Sequence, residues 1–580
     1  MPADINLVQR EISADWRELS SLPPLLARIY AARGVDTIDQ VDYSLSNLLR
    51  PDQITHLESA AGRLADAVEH AESILIFGDY DADGATSTAL CQRALGQMRH
   101  DRCDFMLPDR VVDGYGVSAA VARRIVERNP DLVITVDTGI ASFAGLQILY
   151  EATIDVVVTD HHLPAGELPR AAHIVNPNAF DASAGKSLAG VGVAFYLMLA
   201  LRAELRARGW FKGSAEPNLA GLLDLVAVGT VADLVPLDFT NRILVEEGTR
   251  RIRKGACAPG ISRLIEVSGR NQQTLTSQDI AYSVAPRINA AGRLDDMRAG
   301  VNALLEQNPQ VAADLADELD RINAYRRELQ GEMAQQADSM LHDLGDLNDE
   351  RLSRVLFNPD WHEGIVGIIA SRIKDQSYRP SICFAAAAQD QLKGSCRSIR
   401  GVHIRDMLDL VDKVLPGVIL RFGGHAMAAG LSIRDDALDE FATAFEQVLG
   451  EHADPAAFDQ RVYHDGTLQA SELSLQTALM IENAGPWGQR FPLPSFYGEF
   501  TTLDRRIVGE RHVKFVVSPL QGGPSTDAIL FYADDDQLRA NPTRVGLHYE
   551  LAVNRFRDQE SVQLVVRHLL PLARAESIDG

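Results

Sequence analysis

Three short apolar runs in the first third of the chain each break off into acidic residues, and this pattern restricts the fold more than any other. Ile74–Phe77 leads through Gly78 into Asp79-Tyr80-Asp81-Ala82-Asp83-Gly84, Leu132–Val136 into Asp137-Thr138-Gly139, and Val156–Thr159 into Asp160-His161-His162. Uninterrupted Val/Ile/Leu runs of this length are typical of strands buried on both faces in a parallel sheet. Such sheets place their sites beyond the carboxyl ends of the strands. Five Asp and two His are therefore expected along one sheet edge. So many carboxylates cannot sit together ionised unless cations compensate them, and a pair of divalent metals is the economical solution.

The residues also suggest a division of labour. Asp81 and Asp83, two apart in what reads as a loop, converge on one locus, and Asp137 at a neighbouring strand end can bridge two ions. His161 offers a nitrogen, and Asp233 arrives from the end of a helix read over 221–231. Carboxylates with one imidazole suit Mn²⁺ or Mg²⁺. Two such ions clamp the attacking and leaving oxygens of a phosphoryl displacement, so hydrolysis of a phosphate ester is the reaction class expected. A calcium loop is the alternative for D-x-D-x-D-G, but its twelfth position would need Glu and is Leu90. Taken singly, Asp137 could be a turn or capping residue; three acidic strand ends in succession argue against that.

At 580 residues the chain should contain two to four domains. The expected fold class is α/β: a lead-in of helices over 1–55 broken at Leu22-Pro23-Pro24, a first α/β domain over 56–265, a helical connector over 266–348, a second α/β domain over 349–452, and an all-β barrel over 453–575. Within the connector, apolar residues from Val311 to Met340 keep helical spacing between Pro309 and a stop at Gly345, which predicts a rod of roughly 50 Å. Five scattered cysteines without a CxxC pair, and no apolar leader in residues 1–12, point to a reducing, cytoplasmic setting. No apolar run approaches the ~18 residues of a membrane span. The net charge of −24 disfavours indiscriminate coating of nucleic acid but allows a locally basic channel.

Weaker polar clusters lie elsewhere. Gly423-Gly424-His425-Ala426-Met427-Ala428-Ala429-Gly430 reads either as a phosphate cradle at a helix start or as tight helix packing. Lys393, Arg397, Arg400 and Arg405 form a basic run near it, a solvated face or a set of phosphate contacts. Pro286-Arg287-Ile288-Asn289-Ala290-Ala291-Gly292-Arg293 reads as a loop presenting two arginines, and Arg110 with Tyr115 offers a guanidinium and a stacking ring.

GDYDADG, VDTGI, TDHHLP and GTVADLVPL together resemble the four motifs of the DHH phosphoesterases. SCRSI and GGHAMAAG resemble the companion DHHA1 domain, while PRINAAGRLDDM, WHEGIVGIIASRIK and AGPWGQRFP are similar to the long bacterial RecJ family, over roughly residues 20–570. The resemblance implies a 5′→3′ exonuclease specific for single-stranded DNA, active in repair and recombination, with DHH and DHHA1 domains joined by the long helix and a C-terminal OB-fold. By motif position, Asp81 and Asp137 hold one ion, and Asp83, Asp137, His161 and Asp233 hold the other. Asp79, Asp160 and His162 support the ligands or handle protons, and His425 lies close to the scissile phosphate. Arg110, Tyr115, Arg287, Arg293, Ser395, Arg397, Gly423 and Gly424 contact DNA. The resemblance also implies a passage between the two α/β domains that is too narrow for duplex. It implies a monomer acting on a free 5′ end, with a single-strand-binding protein and a RecQ-type helicase as partners. Two departures stand out: Phe77 replaces a histidine that some relatives use as an extra ligand, leaving one ion more weakly held and completed by water, and Cys396 replaces a loop glycine before Arg397, where it could narrow the passage or make the site sensitive to thiol reagents. A small-molecule DHH hydrolase and a non-catalytic scaffold are the competing readings; the long helix and barrel speak against the first, the full acidic set against the second.

Overall fold

Five strands in parallel register form the centre of the larger of two units in the computed structural model. The described residues are all except 1–5, 13–15, 111, 165, 344–350, 388–389, 558 and 573–580. After a short strand β1 (Asn6–Gln9), the sheet comprises β2 (Ile74–Gly78), β3 (Cys103–Met106), β4 (Leu132–Val136), β5 (Asp155–Thr159) and β6 (His173–Val175), in the order β3-β2-β4-β5-β6. Every residue of β2 and β4 is buried, as the unbroken apolar runs require. Gly78 pairs with Val136, and Val136 with Thr159. Asp79, Asp137 and Asp160 therefore leave the sheet side by side.

Helices cover both faces. Ala82–Gln97, Gly190–Ala207 and Leu223–Ala232 are mostly buried, and helix Ala119–Arg128 starts at the capping hydroxyl of Ser118. The structure corrects the expected loop around Asp81 and Asp83. Asp81 is the N-cap of helix Ala82–Gln97, its Oδ1 accepting from the N–H groups of Asp83 (3.0 Å) and Gly84 (3.1 Å), so Asp83 lies in the first helical turn. The break at Leu22-Pro23-Pro24 falls between the short helical turn Trp16–Leu19 and helix Pro24–Ala31, whose first position suits proline because its missing N–H costs nothing there. PRINAAGR is helix Ala285–Leu294, entered through one wide π turn at Ile280–Val284, and not a loop.

Pro309–Asp343 is one unbroken 35-residue helix, matching the predicted rod; Gly345 lies outside the described residues. The helix begins in the larger unit, and its remainder, from Arg321, belongs to the smaller. The smaller unit's sheet has β7 (Arg354–Phe357), β8 (Ser381–Ala387), β9 (Gln391–Arg397), β10 (Ile419–Gly424) and β11 (Ala428–Arg434), in the order β10-β11-β9-β8-β7. Only β7 and β8 run parallel. Here GGHAMAAG is an antiparallel hairpin, so neither helical reading of it holds. Cys396 sits on β9 and not in a loop, fully buried among Ile382, Leu431 and Ile433. Burial pushes its thiol up to about 12, which removes the expected sensitivity to thiol reagents.

β12 (Arg461–His464) pairs with β1, and the chain then closes a barrel from β13 (Phe496–Val508), β14 (His512–Pro519), β15 (Thr526–Leu530), β16 (Arg544–Phe556) and β17 (Gln559–Pro571). The barrel core is continuous with that of the parallel sheet. Helix Pro24–Ala31 ties them together: Tyr30 donates to Ala484 O (2.6 Å) and stacks with Trp487 and Phe491, and Arg33 makes a two-pronged bond to Asp465 (2.7 and 3.0 Å). Among the described residues, no helix is long and apolar enough to cross a membrane.

Candidate metal centre

The acidic strand ends converge. Three overlapping groups have ligand atoms within 4.8 Å of one another: Asp79, Asp81 and Asp137; Asp83, His161 and Asp233; and Asp137, His161 and His162. His161 Nε2 lies 3.1 Å from Asp137 Oδ1, 3.5 Å from Asp233 Oδ2 and 4.0 Å from Asp83 Oδ2. All five expected ligands thus meet in one place, with Asp137 shared between groups.

Local backbone explains how. Asp137 has φ +59°, an uncommon conformation for a residue with a side chain. Thr135 Oγ1 closes the turn by donating to Thr138 O (2.7 Å), and Gly139 follows at φ +117°. Asp83 is gripped by the start of helix Gly190–Ala207, where Gly190 N donates to Oδ2 (2.6 Å) and Val191 N to Oδ1 (2.9 Å). Free N–H groups at a helix start are natural anion donors. Gly190 also has to be glycine, since a Cβ there would come within 2.5 Å of the Asp137 side chain. Asp233 caps the end of helix Leu223–Ala232, as the sequence suggested.

Asp160 organises the histidines. Its Oδ1 accepts from His161 N (2.7 Å), His162 N (3.0 Å) and His162 Nδ1 (2.8 Å), while Oδ2 accepts from Ile140 N (2.9 Å). Asn178 and Asn176 bind the carbonyls of His161 (2.6 Å) and His162 (2.8 Å); sequence reading missed both. Tyr115 OH stands 3.0 Å from His162 Nδ1. Arg110 lies over the Tyr80 ring at 4.0 Å and donates to Gly292 O (3.0 Å). Arg287 is buried, with Nε on Asp320 Oδ1 (2.8 Å) and Nη1 on Ser283 O (2.6 Å), so two of its donor positions serve the protein.

Electrostatics fit a site built for cations. Burial, then the charge of Asp81, raises Asp79 to about 8 and Asp83 to about 7. Burial and neighbouring carboxylates hold Asp137 and Asp233 well above the usual range. Burial opposes the charge on Asp160 too, but bonding to His162 overcomes it and holds Asp160 low. Burial likewise opposes the charge on His162, which Asp160 nonetheless raises to about 9. Asp79 Oδ1 is buried and accepts no hydrogen bond among the described residues, and Asp137 Oδ1 is buried against the His161 ring at 3.1 Å. Buried carboxylate oxygens without donors are costly, and divalent ions would satisfy them; the donor set suits Mn²⁺ or Mg²⁺. Phe77 has no donor atom, and its ring is fully buried in the apolar core.

The remaining expected residues belong to the smaller unit. Arg397 Nη1 donates to Ser395 Oγ (3.0 Å) and Cys396 O (2.8 Å). Ser395 pairs with Gly430 and Gly430 with Gly423, making a floor on which Gly423 has open space beside it. Gly424 has φ +147°, and the exposed His425 follows at the hairpin tip, its N–H on Ala428 O (2.8 Å). Lys393 pairs with Glu363 (2.8 Å). Arg293 donates to Gly364 O (3.3 Å).

Models of known families match in the same places: the DHH family N-terminal domain over residues 73–230, the DHHA1 domain over 352–451 and the RecJ OB domain over 464–568. The single-stranded-DNA-specific exonuclease RecJ of Dickeya dadantii is 48% identical, covering 98% of this chain and all of that one. The Escherichia coli protein of the same name is 45% identical, over 99% and 100%. The crystal structure of RecJ from Thermus thermophilus in complex with Mn²⁺ superposes with a TM-score of 0.81 at 29% identity, covering 98% of this chain and 79% of that chain; its Mg²⁺ complex gives 0.76 at 28%. The chain belongs to the RecJ family of DHH–DHHA1 proteins.

Proposed function

We propose that this protein is a metal-dependent 5′→3′ exodeoxyribonuclease that acts on single-stranded DNA, releases 5′-mononucleotides and serves DNA repair and recombination. The observation that carries this reading is the convergence of Asp79, Asp81, Asp83, Asp137, His161 and Asp233 at one sheet edge, in a chain 48% identical to a protein named for that activity.

Asp81 and Asp137 would hold one Mn²⁺ or Mg²⁺ ion, and Asp83, Asp137, His161 and Asp233 the other; water completes the first where Phe77 gives no ligand. When bound, the two ions supply an activated water and neutralise charge at the phosphate. The chain's own residues do the rest. Asp160 fixes the His162 ring and the backbone of both histidines, and its charge favours the protonated form of His162, a cation for the reacting phosphate. Arg110, braced on Tyr80, contacts the 5′ end, and the exposed Tyr115 ring offers a surface to a base. Asp79 holds or passes a proton. On the smaller unit Ser395, Arg397, Gly423, Gly424 and Arg293 would receive DNA phosphates, and His425 would act close to the scissile one. Arg287 contributes its remaining edge. The barrel adds a stacking platform for bases.

A cytoplasmic monomer fits this role. A single-strand-binding protein would present the strand, and a RecQ-type helicase would generate it from duplex. One experiment tests the reading: products from 5′-blocked, 3′-blocked and duplex substrates, with and without chelator. Mononucleotides from free 5′ ends only, restored by Mn²⁺ or Mg²⁺, are expected. Digestion that persists in chelator, or that starts from 3′ ends, overturns it.

A further inference from the structure

We propose that Asn289 is a positioning residue for the metal centre, its side-chain carbonyl fixing the start of the helix that holds Asp81 and Asp83. The inference deepens the reading above and rests on the acidic cluster binding divalent ions.

Ala82, between the two carboxylates, is the first residue of helix Ala82–Gln97. The N–H groups of a first turn have no partner within the helix. Asp81 takes those of Asp83 and Gly84, while that of Ala82 is taken by Asn289 Oδ1 at 2.9 Å, from 207 residues away. One turn along the same face of helix Ala285–Leu294, Gly292 presses on the segment between Asp79 and Asp81, where a Cβ would meet Tyr80 O at 1.8 Å. Arg110 closes the contact by bonding Gly292 O while lying over the Tyr80 ring. The helix is anchored separately, by Arg287 on Asp320. The helix is thus held both by its contacts with the Tyr80–Ala82 segment and by Arg287 on Asp320.

Asp79, Asp81 and Asp83 are crowded together just past the end of β2, and relaxing their backbone would separate them. Holding Ala82 prevents that relaxation, so Asn289 acts through the backbone and touches neither ion nor DNA. The experiment is calorimetric titration of the metal-free full-length protein with Mn²⁺, alongside its thermal midpoint, for the parent, Asn289→Ala and Asn289→Asp. Asn289→Ala should bind Mn²⁺ roughly tenfold more weakly with its midpoint nearly unchanged, while Asn289→Asp, which keeps the acceptor, should bind at least about as well as the parent. Parent-like affinity in Asn289→Ala, a loss shared equally by Asn289→Asp, or a loss matched by general unfolding would each overturn the proposal. A parent that binds no Mn²⁺ would instead remove the functional reading beneath it.

Discussion

Asp160 shows how one carboxylate serves several neighbours. It makes four bonds, to two backbone N–H groups on its own strand end, to one on the next, and to the ring of His162. Replacing it with Asn keeps the shape but removes the charge that raises His162 to about 9. Asp160→Asn should lower the His162 titration midpoint, read by NMR, and cut kcat by about 10–100-fold; an unmoved midpoint would show that other carboxylates hold the proton. Asp79 and Asp83 give a second prediction. Their carboxyls are raised to about 8 and about 7, whereas the unfolded chain loses those protons near pH 4. The folded state therefore binds more protons across that window, and the metal-free protein loses stability as pH rises from about 4 to about 8. Mn²⁺ should raise the melting midpoint more at about pH 8 than at about pH 6, and should displace protons as it binds. Equal stabilisation at both values would mean that these carboxyls are already ionised without metal.

At the scale of elements, the sequence was most readable where periodicity and burial act together. The apolar runs of β2, β4 and β5 announced a parallel sheet, and the helix delivering Asp233 stood out because it is apolar all round. Glycine misled elsewhere. In Ala285–Leu294, Gly292 looked like a loop residue, but it permits a helix to touch Tyr80; at Gly423-Gly424 the same residue type gives a hairpin its open floor. Such contacts are tertiary, and local sequence cannot show them. Nor could spacing reveal that Asp81 caps the helix it precedes, since the cap depends on the backbone path after β2. Helix Gly190–Ala207 is the sharpest case: its first two N–H groups hold Asp83 while its first residue leaves no room beside Asp137. Gly190→Ala should therefore push these carboxylates apart, weakening Mn²⁺ binding and turnover by about 10–100-fold. Direct titration and a single-strand nuclease assay read both effects; a variant that binds Mn²⁺ normally would show that the helix can shift at little cost.

For the whole molecule, the question is how a chain with net charge −24 holds a polyanion. Long-range forces oppose the encounter, so affinity has to come from a few cations placed at the phosphates and from base stacking. Two of the candidate cations are ion-paired within the protein, Lys393 to Glu363 and Arg287 to Asp320. The acidic centre itself repels DNA until its ions arrive. Chelation should therefore weaken binding of a single strand as well as stop its cleavage. Salt should also weaken binding: for about four neutralised phosphates, a slope near −0.7 per phosphate lowers affinity roughly 50-fold between about 50 and about 200 mM salt. Arg397→Ala should reduce that slope by about 0.7 and weaken all sequences alike, because a phosphate contact carries no base information. Fluorescence anisotropy with a labelled oligonucleotide, at several salt concentrations and with or without Mn²⁺, measures each term. A salt-independent affinity that survives chelation would assign binding to stacking alone. The barrel would then be the principal DNA-holding surface, and the candidate cations would act on phosphates without contributing to affinity.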